Sequence, residues 1–301
     1  MMTEAEAAAC PPAALIMLER HLEGEVSAEI ALMHLLIASG GLAPLQRCLA
    51  VLGQSGRAEF AALARLAAAH DAALAGAAAL VAAGLVEARG ADRLAATRVQ
   101  YDRAVALTAE ASVALYSLGD PAILARATAE LAALLDAWGL LGPECDALDI
   151  GCGIGRLERA LAPRLRHITG IDLSPAMVAE AERRCAGIAN AAFSVCDGTG
   201  LARFAAARFD LILAIDSFPC MFLVAPELPA RHIAEAAPLL RGGGALAIFN
   251  YSYRGDPAAD RADIATAAAA AGLRVERNGT RELELWDGAG FLLKNPSRRR
   301  G

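Results

Sequence analysis

Apolar residues along the first hundred positions recur at helical spacing. Leu32, Leu35 and Leu36 lie on one face of a predicted helix, which begins after the capping residue Ser27 and ends at Gly40. No alternating run of β-branched residues, the usual signal of a strand, occurs in this part of the chain. The pattern therefore predicts helices only.

The same pattern places two further helices over about 57–75 and 77–88. A small-residue stretch at 90–92 is the predicted boundary. We therefore expect an all-helical N-terminal domain over 1–95, followed by a second domain over 96–301.

A long amphipathic helix is predicted just before the chain changes character. Asp120 supplies a capping carboxylate and Pro121 fits the first helical turn. An apolar stripe then runs from Leu124 to Trp138, and Gly139 ends it. This stripe is expected to pack on a sheet.

From Asp146 onward, apolar runs of strand length alternate with helical segments. Such alternation is typical of a parallel sheet that is covered by helices. The predicted strands are 147–150, 167–172, 191–196, 210–215, 245–251, 273–286 and 290–294. A two-residue turn at Asp287-Gly288 joins the last two strands. The expected fold is α/β: a seven-stranded, mostly parallel sheet with helices on both faces and a C-terminal antiparallel hairpin.

Composition narrows the classes of function. The net charge is −6, and no basic stripe precedes the arginine tail at 298–300, so no nucleic-acid partner is expected. The seven cysteines include no Cys-x-x-Cys pair, and the histidines do not group, so no metal site is expected. No uncharged run reaches the length of a membrane-spanning helix. A cytoplasmic protein without a membrane partner is the expectation.

The sharpest chemical signal is the run Asp149-Ile150-Gly151-Cys152-Gly153-Ile154-Gly155, where an apolar strand turns into a helix. Its glycines permit positive φ and let the backbone approach a ligand closely. The helix that follows offers unpaired N–H groups. A dinucleotide fingerprint would need a small residue at Arg156 for close helix packing, which argues against a nicotinamide-dependent oxidoreductase.

This loop resembles the first motif of the class I, seven-stranded methyltransferases that use S-adenosylmethionine (SAM). The similarity continues in order to about residue 295, through the segments 170–177, 196–198, 209–216 and 240–244. It implies SAM as the cofactor. The cofactor-binding residues that it implies are Asp149, Gly151, Cys152, Gly153, Gly155, Asp172, Leu173, Met177, Asp197, Gly198, Ala214, Asp216 and Tyr101.

The resemblance assigns roles to some of these residues. Asp172, at the end of the second strand, is expected to bind both ribose hydroxyls, and Asp197 to meet the adenine amino group. Asp216 either contacts the cofactor or only caps the end of its strand. Tyr101 covers the cofactor or serves the core. Cys152 is expected to be a small filler between glycines, not a nucleophile.

The predicted activity is methyl transfer from SAM to a small-molecule N, O, S or C nucleophile by in-line displacement. The sequence names no general base and no acceptor. The alternative is a SAM-binding regulatory or scaffold protein without transferase activity. The helical domain is expected to shape the acceptor site or a homodimer contact, since every SAM motif follows residue 148.

Overall fold

The computed structural model describes residues 2–85 and 92–296. By its internal contacts the chain divides into two compact units. The helical unit comprises residues 1–87, 100–129 and 283–287. The sheet unit comprises residues 88–99, 130–282 and 288–301. Gly90 and Ala91 of the predicted boundary, and the basic tail at 298–300, lie outside the described residues.

The helices before the first strand supply the helical unit. They are α1 (Glu4–Ala8), α2 (Pro12–Leu22), α3 (Ala28–Ser39), α4 (Leu42–Gly53), α5 (Ala58–Ala69), α6 (Asp71–Ala82), α7 (Arg93–Leu107), α8 (Ala109–Val113) and α9 (Pro121–Ala137). A 3₁₀ turn, Leu115–Ser117, follows α8. Helices α7 and α9 each have residues in both units.

The predicted ends of α3 are confirmed. The Ser27 hydroxyl oxygen accepts a hydrogen bond from the Ile30 amide at 3.2 Å, and Gly40 ends the helix at φ 72°. The start of α9 is confirmed as well, because the Asp120 carboxylate accepts from the amides of Ala122 and Ile123. Local capping chemistry determines these boundaries.

The single helix predicted over 57–75 is wrong. The chain breaks at His70 into α5 and α6, which are bent by 92°. The His70 ring lies 2.8 Å from Asp120, a partner fifty residues away that no local pattern reveals. In the described part of the chain no single helix is long and apolar enough to cross a bilayer, and only this bent pair would reach that length and composition.

The predicted boundary at residue 95 also differs from the structure. It falls inside α7, a continuous helix of 15 residues, and residues 100–129 group with the helical unit. The short segment 92–99 belongs to the sheet unit. Continuous helical hydrogen bonding across residue 95 gives no local break for a boundary.

Seven strands form one sheet in the sheet unit, as predicted. They are β1 (Asp146–Ile150), β2 (His167–Asp172), β3 (Ala191–Val195), β4 (Phe209–Ile215), β5 (Leu240–Phe249), β6 (Arg274–Thr280) and β7 (Gly290–Lys294). Their order is β3-β2-β1-β4-β5-β7-β6, and only the pairings of β7 are antiparallel. Helices α10 (Arg156–Leu161), α11 (Pro175–Arg184), α12 (Phe218–Val224), α13 (Leu228–Leu239) and α14 (Pro257–Ala270) complete the fold.

The two-residue hairpin predicted at Asp287-Gly288 is wrong. Strand β6 ends at Thr280, and nine residues, 281–289, connect it to β7. Within the helical unit, Trp286 is 6 % exposed and stacks on Tyr116 with ring centroids 5.7 Å apart. Burial of this aromatic pair draws the segment out of the predicted strand.

Among the described helices that follow β1, one was not predicted. Residues 218–224, which the sequence marks only as an uncharged stretch after β4, form α12 with Pro219 in its first turn. Phe218 is fully buried in the core of the sheet unit. Strands β1, β2, β4 and β5 end at one edge of the sheet, where this helix begins. The glycine loop and the acidic residues that follow these strands therefore lie at that edge.

Candidate functional site

The glycine loop lies at the carboxyl end of β1 and is tied to β2. The amides of Gly151 and Cys152 both donate to the Ile171 carbonyl, at 2.8 and 3.1 Å. Gly151 has φ 82°, and a Cβ there would lie 2.6 Å from Cβ of Ser217. Only glycine fits this position, because both the backbone angle and the space exclude a side chain.

Asp172 links the end of β2 to this loop. One carboxylate oxygen accepts from the Gly153 amide at 2.9 Å, and the other accepts from the Ser174 amide at 2.8 Å. The side chain is half-buried. Asp172 is therefore held in a fixed orientation at the ligand-binding edge of the sheet.

Asp149 lies beneath the loop, not on its surface. Asp149 is 1 % exposed, and its Oδ1 atom has no hydrogen-bond partner among the residues that the structure describes. Burial raises the pKa of Asp149 to about 7; the Arg156 guanidinium opposes that shift and the Asp172 carboxylate adds to it. Asp149 therefore supports the loop from within, and its carboxylate is not placed at the surface to meet solvent.

Asp197 follows β3 in an ordered turn. Its Oδ1 accepts from both the amide and the hydroxyl of Thr199, each at 2.9 Å. These hydrogen bonds lower the pKa of Asp197, and the one from the Thr199 amide has the largest effect. A cavity of about 320 Å³ opens beside it, lined by Val195, Cys196, Asp197, Thr199, Gly200, Ala202, Arg203 and Arg231. The carboxylate therefore stays ionised at the mouth of an open space.

Gly198 is covered by two leucines. A Cβ at this glycine would lie 3.0 Å from Leu94 and 3.2 Å from Leu173. The neighbouring Arg93 donates to the Leu223 carbonyl of α12 at 2.6 Å. The first turns of α7 thus border the ends of β3 and β4, although they precede the sheet by some fifty residues.

A coupled pair of residues in left-handed backbone conformation ends β4 and β5. Asp216 has φ 60° and Asn250 has φ 59°, and the Asn250 amide nitrogen donates to Asp216 Oδ1 at 2.9 Å. Asp and Asn tolerate this conformation better than other residues, but it still costs energy. Further bonds hold it: the Asp216 amide donates to Phe249 O, and the Ala289 amide donates to Asn250 Oδ1, each at 2.9 Å.

Aromatic side chains lie beyond this pair. Phe222 and Tyr251 have ring centroids 6.0 Å apart, and Phe218 lies 6.4 Å from Tyr251. The Arg254 guanidinium sits over the rings of Phe222 and Tyr251, at 5.2 and 5.9 Å. Burial raises the pKa of Tyr251 to about 12, so this phenol stays neutral and does not act as a base.

The other predicted site residues differ in exposure. Cys152, Met177 and Ala214 are buried, at 4, 1 and 0 % exposed. Burial raises the pKa of Cys152 well above the usual thiol range, which accords with the filler role expected for it. Tyr101 is half-buried in α7 and belongs to the helical unit, so its role over the cofactor stays a prediction.

Sequence reasoning missed four residues of this region. Ser217 has a buried hydroxyl oxygen without a hydrogen-bond partner, and Glu158 is a fully buried carboxyl group. Asn250 and Leu94 are the others. A polar residue between the apolar positions Leu157 and Leu161 was a readable signal for Glu158. The approach of Leu94 depends on tertiary packing alone.

The residues present fit SAM. Gly151 lies in close contact with the Ser217 side chain, whose buried hydroxyl has no hydrogen-bond partner among the described residues and is available to a ligand. Asp149, Asp172 and Asp216 surround this edge with carboxyl groups. SAM carries a sulfonium and no phosphates, so acidic surroundings suit it better than a dinucleotide.

Comparison with known proteins finds methyltransferases. A family model described as a methyltransferase domain matches residues 147–244. The 2-methyl-6-phytyl-1,4-hydroquinone methyltransferase of Synechocystis is 32% identical over 123 residues, which are 40% of this chain and 37% of that protein. A 23S rRNA (uracil(1939)-C(5))-methyltransferase of Aeromonas hydrophila is 36% identical over 106 residues, 34% of this chain and 23% of that protein. The alignments thus span 37% and 23% of the length of these two relatives.

A solved structure shares the fold. The phosphoethanolamine N-methyltransferase 1 of Haemonchus contortus, in complex with phosphoethanolamine and S-adenosylhomocysteine, superposes with a TM-score of 0.53 at 15% identity. The match covers 69% of this chain and 50% of that one. Together with the strand order, it confirms the expected seven-stranded fold. Residues 147–244 match the methyltransferase-domain family, and the sheet around them has the fold of the class I SAM-dependent methyltransferases.

Proposed function

We propose that the protein transfers the methyl group of SAM to a small-molecule acceptor. The observation that carries this proposal is the tie between Asp172 and the Gly153 amide, which joins the ribose-binding carboxylate to the glycine loop. In this proposal Asp172 accepts hydrogen bonds from the ribose hydroxyls. The buried Ser217 hydroxyl bonds the methionine part of the cofactor.

SAM supplies an activated methyl group on a sulfonium, so the task of the protein is alignment and exclusion of water. Alignment of this kind is worth up to roughly 7–11 kcal/mol in favourable cases. The rigid ends of β4 and β5, held by the Asp216–Asn250 hydrogen bond, support such alignment. The acceptor approaches along that rim, and no metal step is proposed.

An apolar or aromatic acceptor is proposed for the region beyond the rim. Phe218, Phe222 and Tyr251 offer ring surface there, with Arg254 over two of the rings. Asp260 and Asp263 pair with Arg254 at 2.8 Å, so its charge is largely compensated. The similarity to a hydroquinone methyltransferase makes an alkylated hydroquinone the first acceptor to test.

The test is S-adenosylhomocysteine release, measured by mass spectrometry with SAM and a panel of acceptors. The panel contains an alkylated hydroquinone, a catechol, a primary amine and a thiol. Release with at least one acceptor, and none without an acceptor, is the expected result. Binding of SAM by calorimetry without release from any acceptor would favour the binding protein without transferase activity. Absence of SAM binding would overturn both.

A further inference from the structure

Glu158 is a charged residue type in an apolar place. It is 0 % exposed, and neither carboxyl oxygen has a hydrogen-bond partner among the described residues. Its helix neighbours Leu157 and Leu161 are buried as well, at 2 and 0 % exposed. An isolated carboxylate in such a place would be costly, so the group must be paired or protonated.

The carboxyl group of Glu158 lies beside that of Asp149. Strands β1 and β2 pair in parallel, with Asp149 opposite Gly170. A Cβ at Gly170 would collide with Glu158 Oε1 and lie 2.8 Å from Cβ of Cys152. Glu158 Oε1 therefore lies over the strand position next to Asp149, so the two carboxyl groups are neighbours on one face of the sheet. The missing side chain at 170 makes room for it.

Two ionised carboxylates cannot bond each other, because both only accept. With one proton between them, the protonated group donates to the other, and two of the three unpartnered oxygens gain a partner. The surroundings favour this proton: burial raises the pKa of both groups, and the Asp149 carboxylate raises that of Glu158 further. Two like groups in one apolar site do not ionise together.

The other charged or titratable groups facing the pair leave this proton in place. Arg156 of α10 favours ionisation, whereas Asp172 of β2 opposes it. The thiols of Cys152 and Cys185 also face Glu158, and burial raises the pKa of each, so they are neutral. Cys196 faces Cys152, and burial likewise raises the pKa of the Cys196 thiol. None of these groups supplies a hydrogen bond to Glu158.

We propose that Glu158 is a positioning residue of the cofactor site, whose carboxyl group shares one proton with Asp149 and so holds the strand end beneath the glycine loop. The inference rests on the proposed function, because Asp149 supports the loop that receives SAM. Loss of the shared proton to solvent at higher pH leaves two like charges together and loosens the loop. Cofactor binding then weakens.

The first test is stability without ligand. Both pKa values are raised on folding, so the stabilisation is complete below the ordinary carboxyl range and is lost as pH rises towards the folded-state pKa. The unfolding equilibrium of the parent is expected to rise by up to about tenfold per pH unit over this window. Glu158→Gln, whose amide donates to Asp149 at any pH, should show a shallower slope, because burial alone then raises the pKa of Asp149. Asp149→Asn should likewise show a shallower slope, and it replaces Glu158→Gln if that variant does not fold.

The matched control is Glu182→Gln, which changes an exposed carboxylate of α11 and should keep the parent's slope. Urea denaturation between about pH 5.5 and 7.5 measures all of these proteins. If Glu158→Gln, or Asp149→Asn in its place, retains the parent's pH slope, the shared proton is overturned.

The second test is the affinity for S-adenosylhomocysteine by calorimetry over pH. The dissociation constant of the parent should rise by about tenfold per pH unit above the pKa of the pair, and that of Glu158→Gln should not. The ligand's own amino group titrates alike with both proteins. A uniform change in affinity at every pH would show a merely structural Glu158 and overturn the positioning role. If the parent binds no ligand, the proposed function fails, and the stability test still decides on the proton.

Discussion

At the scale of single residues, two features of the site depend on glycines, because a side chain at either position would collide with its neighbours. Gly151 combines φ 82° with close contact to Ser217, and Gly170 leaves the space that Glu158 and Cys152 occupy. Gly170 has an ordinary strand backbone. Its requirement is therefore purely steric, which makes it a sharp test of the packing beneath the loop.

Gly170→Ala is expected to destabilise the protein by about 1–3 kcal/mol, because the new methyl group overlaps Cβ of Cys152 in a packed interior. Urea denaturation monitored by circular dichroism measures the change. Gly142→Ala is the control, since no atom lies within 4 Å of a Cβ there and its φ is not positive. Equal stability of Gly170→Ala and the parent would show that Glu158 does not fill this space.

The sequence predicts some residues of the site well. The positions of the glycine loop and Asp172 follow from local signals, an apolar strand before a glycine run and an acid at a strand end. Glu158 and Asn250 escaped prediction because their environments are tertiary. Asn250 meets Asp216 only after β4 and β5 pair, and nothing within either segment indicates that contact.

At the scale of elements, helix ends were predictable and long-range breaks were not. Ser27, Asp120 and Ser174 each cap the helix that follows, as the sequence indicates. The break at His70 depends on Asp120, and the path of residues 281–289 includes the stacking of Trp286 on Tyr116. These partners are distant in sequence. Local propensity alone therefore predicts a helix over 57–75 and a strand over 273–286 that are both longer than the observed elements.

The amino ends of the strands are joined by an ion-pair network opposite the functional edge. Asp146 of β1 accepts from Arg166 at 2.8 Å and pairs with Arg241 of β5 at 2.8 Å. The Asp146 amide donates to the carboxylate of Asp210 in β4 at 2.9 Å. The pKa of Asp146 is lowered to about 2, and the hydrogen bond from Arg166 is the largest cause. The network thus connects the starts of several strands.

Asp146→Asn should cost about 1 kcal/mol of stability near neutral pH, a modest value because the pairs are partly exposed. The pKa is lowered on folding, so this stabilisation is present above about pH 4 and is lost as pH falls towards about 2. Denaturation at both ends of that window measures it, with Glu144→Gln, an 88% exposed neighbour of Arg166, as the control. A difference that persists at the acid end would contradict the assignment.

At the scale of the whole molecule, the charge distribution bears on partners. The net charge is −6, and carboxyl groups, those of Asp172 and Asp216, follow the ends of β2 and β4 in the described site. One relative acts on rRNA by its name, but it matches only 34% of this chain. Nucleic-acid affinity requires cations that neutralise phosphates, which this composition does not favour.

We therefore expect no specific binding of nucleic acid. Filter binding with tRNA and with duplex DNA, at low and physiological salt, measures this directly. Retention should be weak and similar for the two probes. Tight, salt-sensitive retention of either one would contradict the proposed small-molecule acceptor.

The account's central claim is that Asp172 and the glycine loop bind SAM. Asp172→Ala removes the acceptor for the ribose hydroxyls and frees the Gly153 amide, so affinity should fall by about 30- to 150-fold, equivalent to roughly 2–3 kcal/mol. Folding should persist, because Ile168 and Ile171 remain buried in β2. Asp172→Asn should lose less, since the amide oxygen still accepts.

Calorimetry of SAM and S-adenosylhomocysteine binding, with circular dichroism to establish folding, is the measurement that tests this claim most directly. The account predicts a folded Asp172→Ala protein with strongly weakened binding of both ligands, and an intermediate Asp172→Asn. A folded alanine variant that binds within twofold of the parent would contradict the ribose assignment and the interpretation of residues 149–155 as the cofactor loop.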